Sequence, residues 1–315
     1  MMKPICIAMA VNDAYAQHLG CALASILLHA EEDDAFFFYI LSTDISNENK
    51  EKLGMLQKIR PFQIKFLVPD WKIIEDVKIP GTLWTKDTFS RLYLTELVPD
   101  RDRMIYIDVD TITTTSLREL WEFNLQGKSL GVVADRHNPP ELAAALGINP
   151  PTFNAGVLLM DLGKMRRERS LLRCFDWLLE PEQKICLPDQ DALNVVFQHD
   201  KIFLPCRWNM QLEGDKHPSV FSQDYYFQPE VKAAIKQAKG IFHYTGKQKP
   251  WLRTNNEAQR KYYWEALQQT PWKDYCAPPL SVKERIRLSL RRNRLNQKFK
   301  MFCKKIKKYW RGTQK

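Results

Sequence analysis

Short apolar runs alternate along the chain with longer stretches of helical periodicity. Ile5 to Val11 is continuously apolar and predicts a buried first strand. From Tyr15 to Ala30, apolar positions at Leu19, Leu23, Ile26 and Leu27 recur at the spacing of one helix face. Phe36 to Leu41 predicts a second strand, Ser46 to Ile59 a helix and Ile64 to Val68 a third strand. Met104 to Ile107, Leu130 to Ala134, Gly156 to Leu162 and Ile241 to Tyr244 predict further strands. Alternation at this spacing implies an α/β fold, with a mainly parallel sheet covered by helices on both faces. Ligands of such sheets bind beyond the carboxyl ends of the strands, so the chemistry is expected just after each apolar run.

Charge divides the chain in two. The whole carries +10, but 14 basic residues and one acid, Glu284, fall between Ser281 and Lys315. The first 280 residues are therefore slightly acidic, with 33 basic and 36 acidic side chains. Pro278-Pro279 predicts a boundary between a folded unit, 1–280, and a basic tail, 281–315. From Leu288 the tail places Leu295, Phe299, Phe302, Ile306 and Tyr309-Trp310 on one helical stripe among lysines and arginines. Such an amphipathic helix suits an anionic membrane surface. The acidic body and the lack of a nucleic-acid-binding motif give no reason to expect a nucleic-acid partner. The first apolar run ends at Asn12-Asp13, and no window approaches a membrane span, so neither export nor spanning is expected. Seven cysteines, none in a C-x-x-C pair, are read as reduced thiols.

No two glycines stand two residues apart, which excludes G-x-G-x-x-G, and no P-loop, H-E-x-x-H or G-x-S-x-G occurs. The candidate chemistry is instead Asp108-Val109-Asp110, at the end of the apolar run that closes with Tyr106-Ile107. Two hard oxygen donors there, whether on a continuing strand or on a turn at its end, suit Mn²⁺ or Mg²⁺, which would bridge to a diphosphate. Behind the last run stand His243, Gly246 and Lys249-Pro250-Trp251. An imidazole would complete an Asp/Asp site, and a lysine would approach a phosphate as a point charge.

Four motifs then occur in order: Ala10-Val11-Asn12-Asp13-Ala14-Tyr15; Tyr106-Ile107-Asp108-Val109-Asp110; Phe153-Asn154-Ala155-Gly156-Val157 with Asp189-Gln190-Asp191 downstream; and His243-x-x-Gly246-x-x-Lys249-Pro250-Trp251. As an ordered set, over about residues 4–252, they resemble the family-8 retaining glycosyltransferases, particularly the bacterial lipopolysaccharide and lipo-oligosaccharide galactosyl- and glucosyltransferases. The resemblance implies a GT-A fold and transfer of galactose or glucose from a UDP-sugar to a glycolipid or oligosaccharide hydroxyl. It implies that Asp108, Asp110 and His243 ligate Mn²⁺, and that Lys249 and the Gly246 turn meet the donor phosphates. Ala10, Asn12 and Tyr15 would surround uracil and ribose, with Asp13 and Val109 also among the residues that bind the donor. Arg91 would reach the donor, and Asp135, Asn154, Asp189 and Gln190 would lie around the transferred sugar. Asn12 stands where relatives often carry a second aspartate.

Gln190 is a poor nucleophile, so a front-face route is expected, with Asp189 the alternative nucleophile. Simpler roles also fit the residues: Asn154 in a turn, Asp189 as a helix N-cap, Arg91 paired with a surface acid. Other expectations are a self-glucosylating polysaccharide initiator of the same family or a non-catalytic scaffold. The predicted location is cytoplasmic, peripheral on the inner face of the cytoplasmic membrane.

Overall fold

The computed structural model describes residues 4–75, 77, 86–136, 140–180, 187–212, 229–247, 249–254, 258–282, 284–286 and 289. The apolar stripe expected from Leu288 to Trp310 lies outside them. In chain order the elements are β1 (Ile5–Ala10), α1 (Ala16–Leu28), β2 (Phe36–Leu41), α2 (Asn47–Gly54), β3 (Gln63–Leu67), α3 (Leu94–Leu97), β4 (Arg103–Ile107), β5 (Thr111–Thr113), α4 (Arg118–Glu122) and β6 (Leu130–Ala134). There follow α5 (Pro140–Ala145), β7 (Phe153–Asp161), α6 (Leu162–Glu168), α7 (Ser170–Leu179), α8 (Pro188–Val196), β8 (Lys201–Phe203), β9 (Met210–Gln211), α9 (Pro229–Gln237), β10 (Ile241–His243) and α10 (Arg260–Leu267).

Among the described residues, a seven-stranded sheet runs β3-β2-β1-β4-β7-β6-β8, and a three-stranded sheet runs β5-β10-β9. In the large sheet, β1 is parallel to β2 and β4, β2 to β3, and β6 to β8, while β7 runs antiparallel to both of its neighbours. The mainly parallel sheet expected from the apolar runs is thus present. Its runs are continuous because both faces are covered. Ile5, Ile7 and Met9 of β1 enter one core with Leu19, Leu23 and Leu53, whereas Cys6 and Ala8 enter the other with Leu162, Leu171 and Leu193. Successive strand side chains point to opposite faces, so one apolar run serves both cores.

Helix α1 is buried almost all round rather than along one stripe: Leu19, Ala22, Leu23 and Ile26 join the first core, and Cys21 joins a third with Phe242 and Tyr263. It packs between the two sheets, which is the arrangement expected of a helix with little polar surface. The helix expected from Ser46 to Ile59 is shorter; after Gly54 the chain tightens into a 3₁₀ turn, Met55–Lys58. The Gly156 strand is longer than its apolar run, opening at Phe153. Cys6, Cys21, Cys174, Cys206 and Cys276 are all free thiols.

Candidate functional site

The order of strand addition reverses between β1 and β4, which stay parallel: β2 and β3 extend the sheet to one side and β4 to the other. Such a switch point opens a crevice at the carboxyl ends of the strands. There a cleft of about 370 Å³ is lined from β1 and its following turn by Ala10, Asn12 and Tyr15, from β4 and its following turn by Tyr106, Asp108 and Asp110, from β7 by Asn154 and Gly156, and from α8 by Asp189 and Gln190. Val109, Arg91, His243, Thr245 and Lys249 complete much of its wall.

The two aspartates sit where the chain changes sheets. Strand β4 ends at Ile107 and β5 begins at Thr111 in the other sheet, so Asp108 to Asp110 form the turn between them. Thr111 Oγ1 donates to the Asp108 carbonyl at 2.8 Å and closes that turn. His243 ends β10, in register with Thr111, and Tyr244 N donates to the Asp110 carbonyl at 3.0 Å. Pairing of β10 with β5 therefore carries a histidine more than a hundred residues downstream onto the aspartate turn. His243 Nε2 lies 3.2 Å from Asp110 Oδ1 and 3.8 Å from Asp108 Oδ2. One ligand atom from each of the three residues falls within 4.8 Å of the others. Gly156 makes the space: a Cβ there would stand 2.6 Å from His243 Nδ1 and 2.8 Å from Asp108 Oδ2.

Two cations neighbour the turn. Lys249 Nζ donates to Asp110 Oδ2 at 2.5 Å and to the Tyr244 carbonyl at 2.7 Å. Burial opposes the Asp110 charge, but Lys249 and His243 outweigh it and hold the carboxyl well below the usual carboxylate range. Arg91, in the 3₁₀ segment Lys86–Tyr93, is buried instead of pairing with a surface acid. Its Nη2 lies 2.9 Å from Asp108 Oδ1, its Nε lies 2.8 Å from Asp189 Oδ2, and its guanidinium covers the Tyr106 ring at 4.3 Å. It also donates to the Ala155 carbonyl. Burial pushes the Asp189 carboxyl up to about 6, although Arg91 pulls it down.

Helix α8 begins with Leu187 as N-cap, so Asp189 stands in the first turn rather than at the cap. The capping contact comes from Asp191, whose Oδ2 accepts from Leu187 N at 2.8 Å. That anchors Gln190, whose Nε2 donates to Asp135 Oδ2 at 2.7 Å and whose Oε1 accepts from Ala155 N at 3.0 Å and Asn154 Nδ2 at 3.1 Å. Asn154 lies in strand β7 rather than in a turn.

Some expected residues stand behind the cleft wall. Asp13 Oδ1 accepts from Ser46 N at 2.8 Å and Asn49 Nδ2 at 2.7 Å, tying the β1 turn to the start of α2. Asp135 reaches the cleft through Gln190, and Gly246 lies in a bend directly after Thr245. Asn12 caps its own turn, accepting from Tyr15 N at 3.2 Å, and Tyr15, 39% exposed, lines the cleft. The sequence reading missed Asp87, Thr88 and Thr245 on the wall, and Asn209 behind it, since none belongs to a recognisable spacing.

The donor set fits a divalent ion. Two carboxylates and an imidazole converge, and the wider group of Asp108, Asp110 and Asp189 against Arg91 and Lys249 retains net negative charge.

Residues 6–255 match the profile of Glycosyl transferase family 8. The chain is 28% identical over 284 residues to a lipopolysaccharide 1,2-glucosyltransferase of Escherichia coli (strain K12), covering 85% of this chain and 79% of that protein. It is 24% identical over 279 residues to general stress protein A of Bacillus subtilis (strain 168), covering 86% and 95%. Among solved structures, galactosyltransferase LgtC in complex with donor and acceptor sugar analogs superposes with a TM-score of 0.71 at 23% identity, covering 89% of this chain and 99% of that one. The expected GT-A fold is therefore the fold observed.

Proposed function

Because this chain belongs to glycosyl transferase family 8, and is a glycosyltransferase, we propose that its cleft moves a galactose or glucose unit from a UDP-sugar to a hydroxyl of a lipopolysaccharide-type glycolipid or oligosaccharide. The observation that carries the reading is the convergence of Asp108, Asp110 and His243 beside Lys249, at the switch point of the sheet. Asp108, Asp110 and His243 would hold Mn²⁺, with Mg²⁺ the related alternative. When bound, such an ion supplies Lewis-acid stabilisation of the charge on a departing diphosphate.

The chain's own groups do the remaining work. Tyr15, partly exposed on the cleft wall, would stack on uracil, with Asn12 and Ala10 beside it. Lys249, seated by the Tyr244 carbonyl, presents its ammonium to the phosphates. Arg91 holds Asp108 in place and keeps Asp189 behind it. The Gln190 amide, locked at both ends, faces the position of the sugar and stabilises positive charge at the anomeric carbon. The bond from that carbon to the diphosphate oxygen breaks, its electron pair leaving with UDP. The acceptor oxygen bonds to the same face, and its proton passes to the diphosphate. The ion pair from Asp189 to buried Arg91 at 2.8 Å favours this front-face route, because a carboxylate so engaged is a weak nucleophile.

Among the described residues no helix is long and apolar enough to cross a membrane. We assign membrane contact to the +13 tail, 281–315, which would hold the enzyme peripherally at an anionic cytoplasmic surface. A panel of UDP-sugars tested for hydrolysis and transfer, with and without Mn²⁺, tests the reading. Metal-dependent turnover abolished by Asp110→Ala is expected. Turnover that is indifferent to Mn²⁺ and survives that substitution would overturn the metal assignment.

A further inference from the structure

Asn209 ends the 3₁₀ turn Cys206–Asn209, just before β9, and is fully buried. Its side chain joins two parts of the cleft. Nδ2 donates to Asn154 Oδ1 at 2.8 Å, and His243 Nδ1 lies 2.9 Å from Asn209 Oδ1. Groups with only one possible role orient this chain of amides. Gly156 N donates to Asn154 Oδ1 at 3.0 Å, and Ala155 N donates to Gln190 Oε1 at 3.0 Å. At the far end the Asp135 carboxylate accepts from Gln190 Nε2 at 2.7 Å. Each amide oxygen thus faces a donor, which leaves Asn209 Nδ2 facing Asn154 and Asn209 Oδ1 facing the imidazole.

An oxygen acceptor at His243 Nδ1 requires the proton on that nitrogen. Nε2, 3.2 Å from Asp110 Oδ1, is then the nitrogen left to face the carboxylates, as a donor to Asp110 when no cation is present and as a ligand when one is. We propose that Asn209 is a positioning residue: it holds His243 in the Nδ1–H tautomer that a cation needs, and it ties that tautomer to the Asn154–Gln190 amides on the sugar side. The inference rests on the metal reading above and deepens it. Outer partners of this kind fix ring orientation and ligand basicity, and their loss typically costs about 10–100-fold in metal affinity.

Two substitutions separate the two ends of the side chain. Asn209→Leu removes both the acceptor and the donor at similar volume. Asn209→Asp keeps, and strengthens, acceptance from Nδ1–H, but opposes a second acceptor to Asn154 Oδ1. Mn²⁺ binding is read by titration against the resonance of the free ion, and the His243 tautomer by ¹H–¹⁵N correlations of the ring in metal-free protein, assigned against His243→Gln. The expected results are an Nδ1–H ring in the wild type, loss of that tautomer and about 10–100-fold weaker Mn²⁺ binding in Asn209→Leu, and undiminished Mn²⁺ binding in Asn209→Asp. The Asp variant should also lose the preference for UDP-hexose over UDP. A wild-type ring without a proton on Nδ1, or equal loss of Mn²⁺ affinity in both variants, would overturn the role of Asn209. Wild-type protein that binds no Mn²⁺ would instead overturn the metal reading itself, and this inference with it.

Discussion

The imidazole of His18 lies flat on the indole of Trp251, with ring centroids 3.5 Å apart and planes inclined by 12°. The contact joins the first turn of α1, beside Tyr15, to the Lys249-Pro250-Trp251 segment, and so the Tyr15 end of the cleft to its Lys249 end. His18 Nδ1 lies 2.8 Å from the Tyr263 hydroxyl, and Tyr15 packs edge-on against both rings.

This stack predicts an acid-sensitive stability. Burial pushes the His18 imidazole down to about 3 from 6.5, with Asp110 opposing and Lys249 reinforcing the shift. The folded chain thus binds fewer protons than the unfolded chain between those values. Stability is fully present above pH 6.5 and falls as pH drops toward about 3, with a limiting slope of about 1.4 kcal/mol per pH unit from this group. His18→Phe keeps a ring on Trp251 and removes the titration. Urea midpoints across that range should show a flatter acid limb; an unchanged limb would mean that His18 does not govern it.

Gly156→Ala should be costly out of proportion to its size. The added Cβ enters the space between His243 and Asp108, so β7 or these side chains must shift, at about 1–3 kcal/mol. Thermal melts should show that loss, and Mn²⁺ titration should show weakened or absent binding.

Arg91→Met leaves Asp108 and Asp189 beside an apolar side chain. Breaking a buried pair in this way costs about 3–5 kcal/mol. Adding Asp189→Asn should recover part of the loss, and a denaturation cycle over the four proteins measures the coupling. Simple additivity would show that the 2.8 Å contact carries no interaction energy.

A chain ending at residue 280 should no longer pellet with anionic vesicles, while its Mn²⁺ and UDP binding stay intact. The full chain should bind those vesicles less as salt rises, because attraction of about 1 kcal/mol per basic residue near the surface is screened. Equal pelleting of both chains would remove the tail from membrane contact.

Strands β1, β2, β4 and β6 were legible because burial on both faces leaves continuous apolar runs, whose ends sequence shows within a residue or so. The opening of β7 at Phe153-Asn154 was not, since Asn154 breaks the run while its side chain serves the site. The short strands β5, β8 and β9 escaped for a related reason: two or three residues carry no readable period, and partners alone define them as strands.

The sequence by itself determined the chemistry on offer: two aspartates after an apolar run, a histidine and a lysine after another, and the ordered motifs of a glycosyltransferase family. It also separated an acidic body from a basic tail, because composition is additive along a chain. Tertiary structure alone decided which groups meet. Pairing of β10 with β5 set His243 on the aspartate turn, Gly156 left the room for it, and burial turned Arg91 inward between Asp108 and Asp189. Asn209 became legible only there, since a hydrogen bond to His243, 34 residues away in sequence, depends on closure in space and leaves no periodic trace.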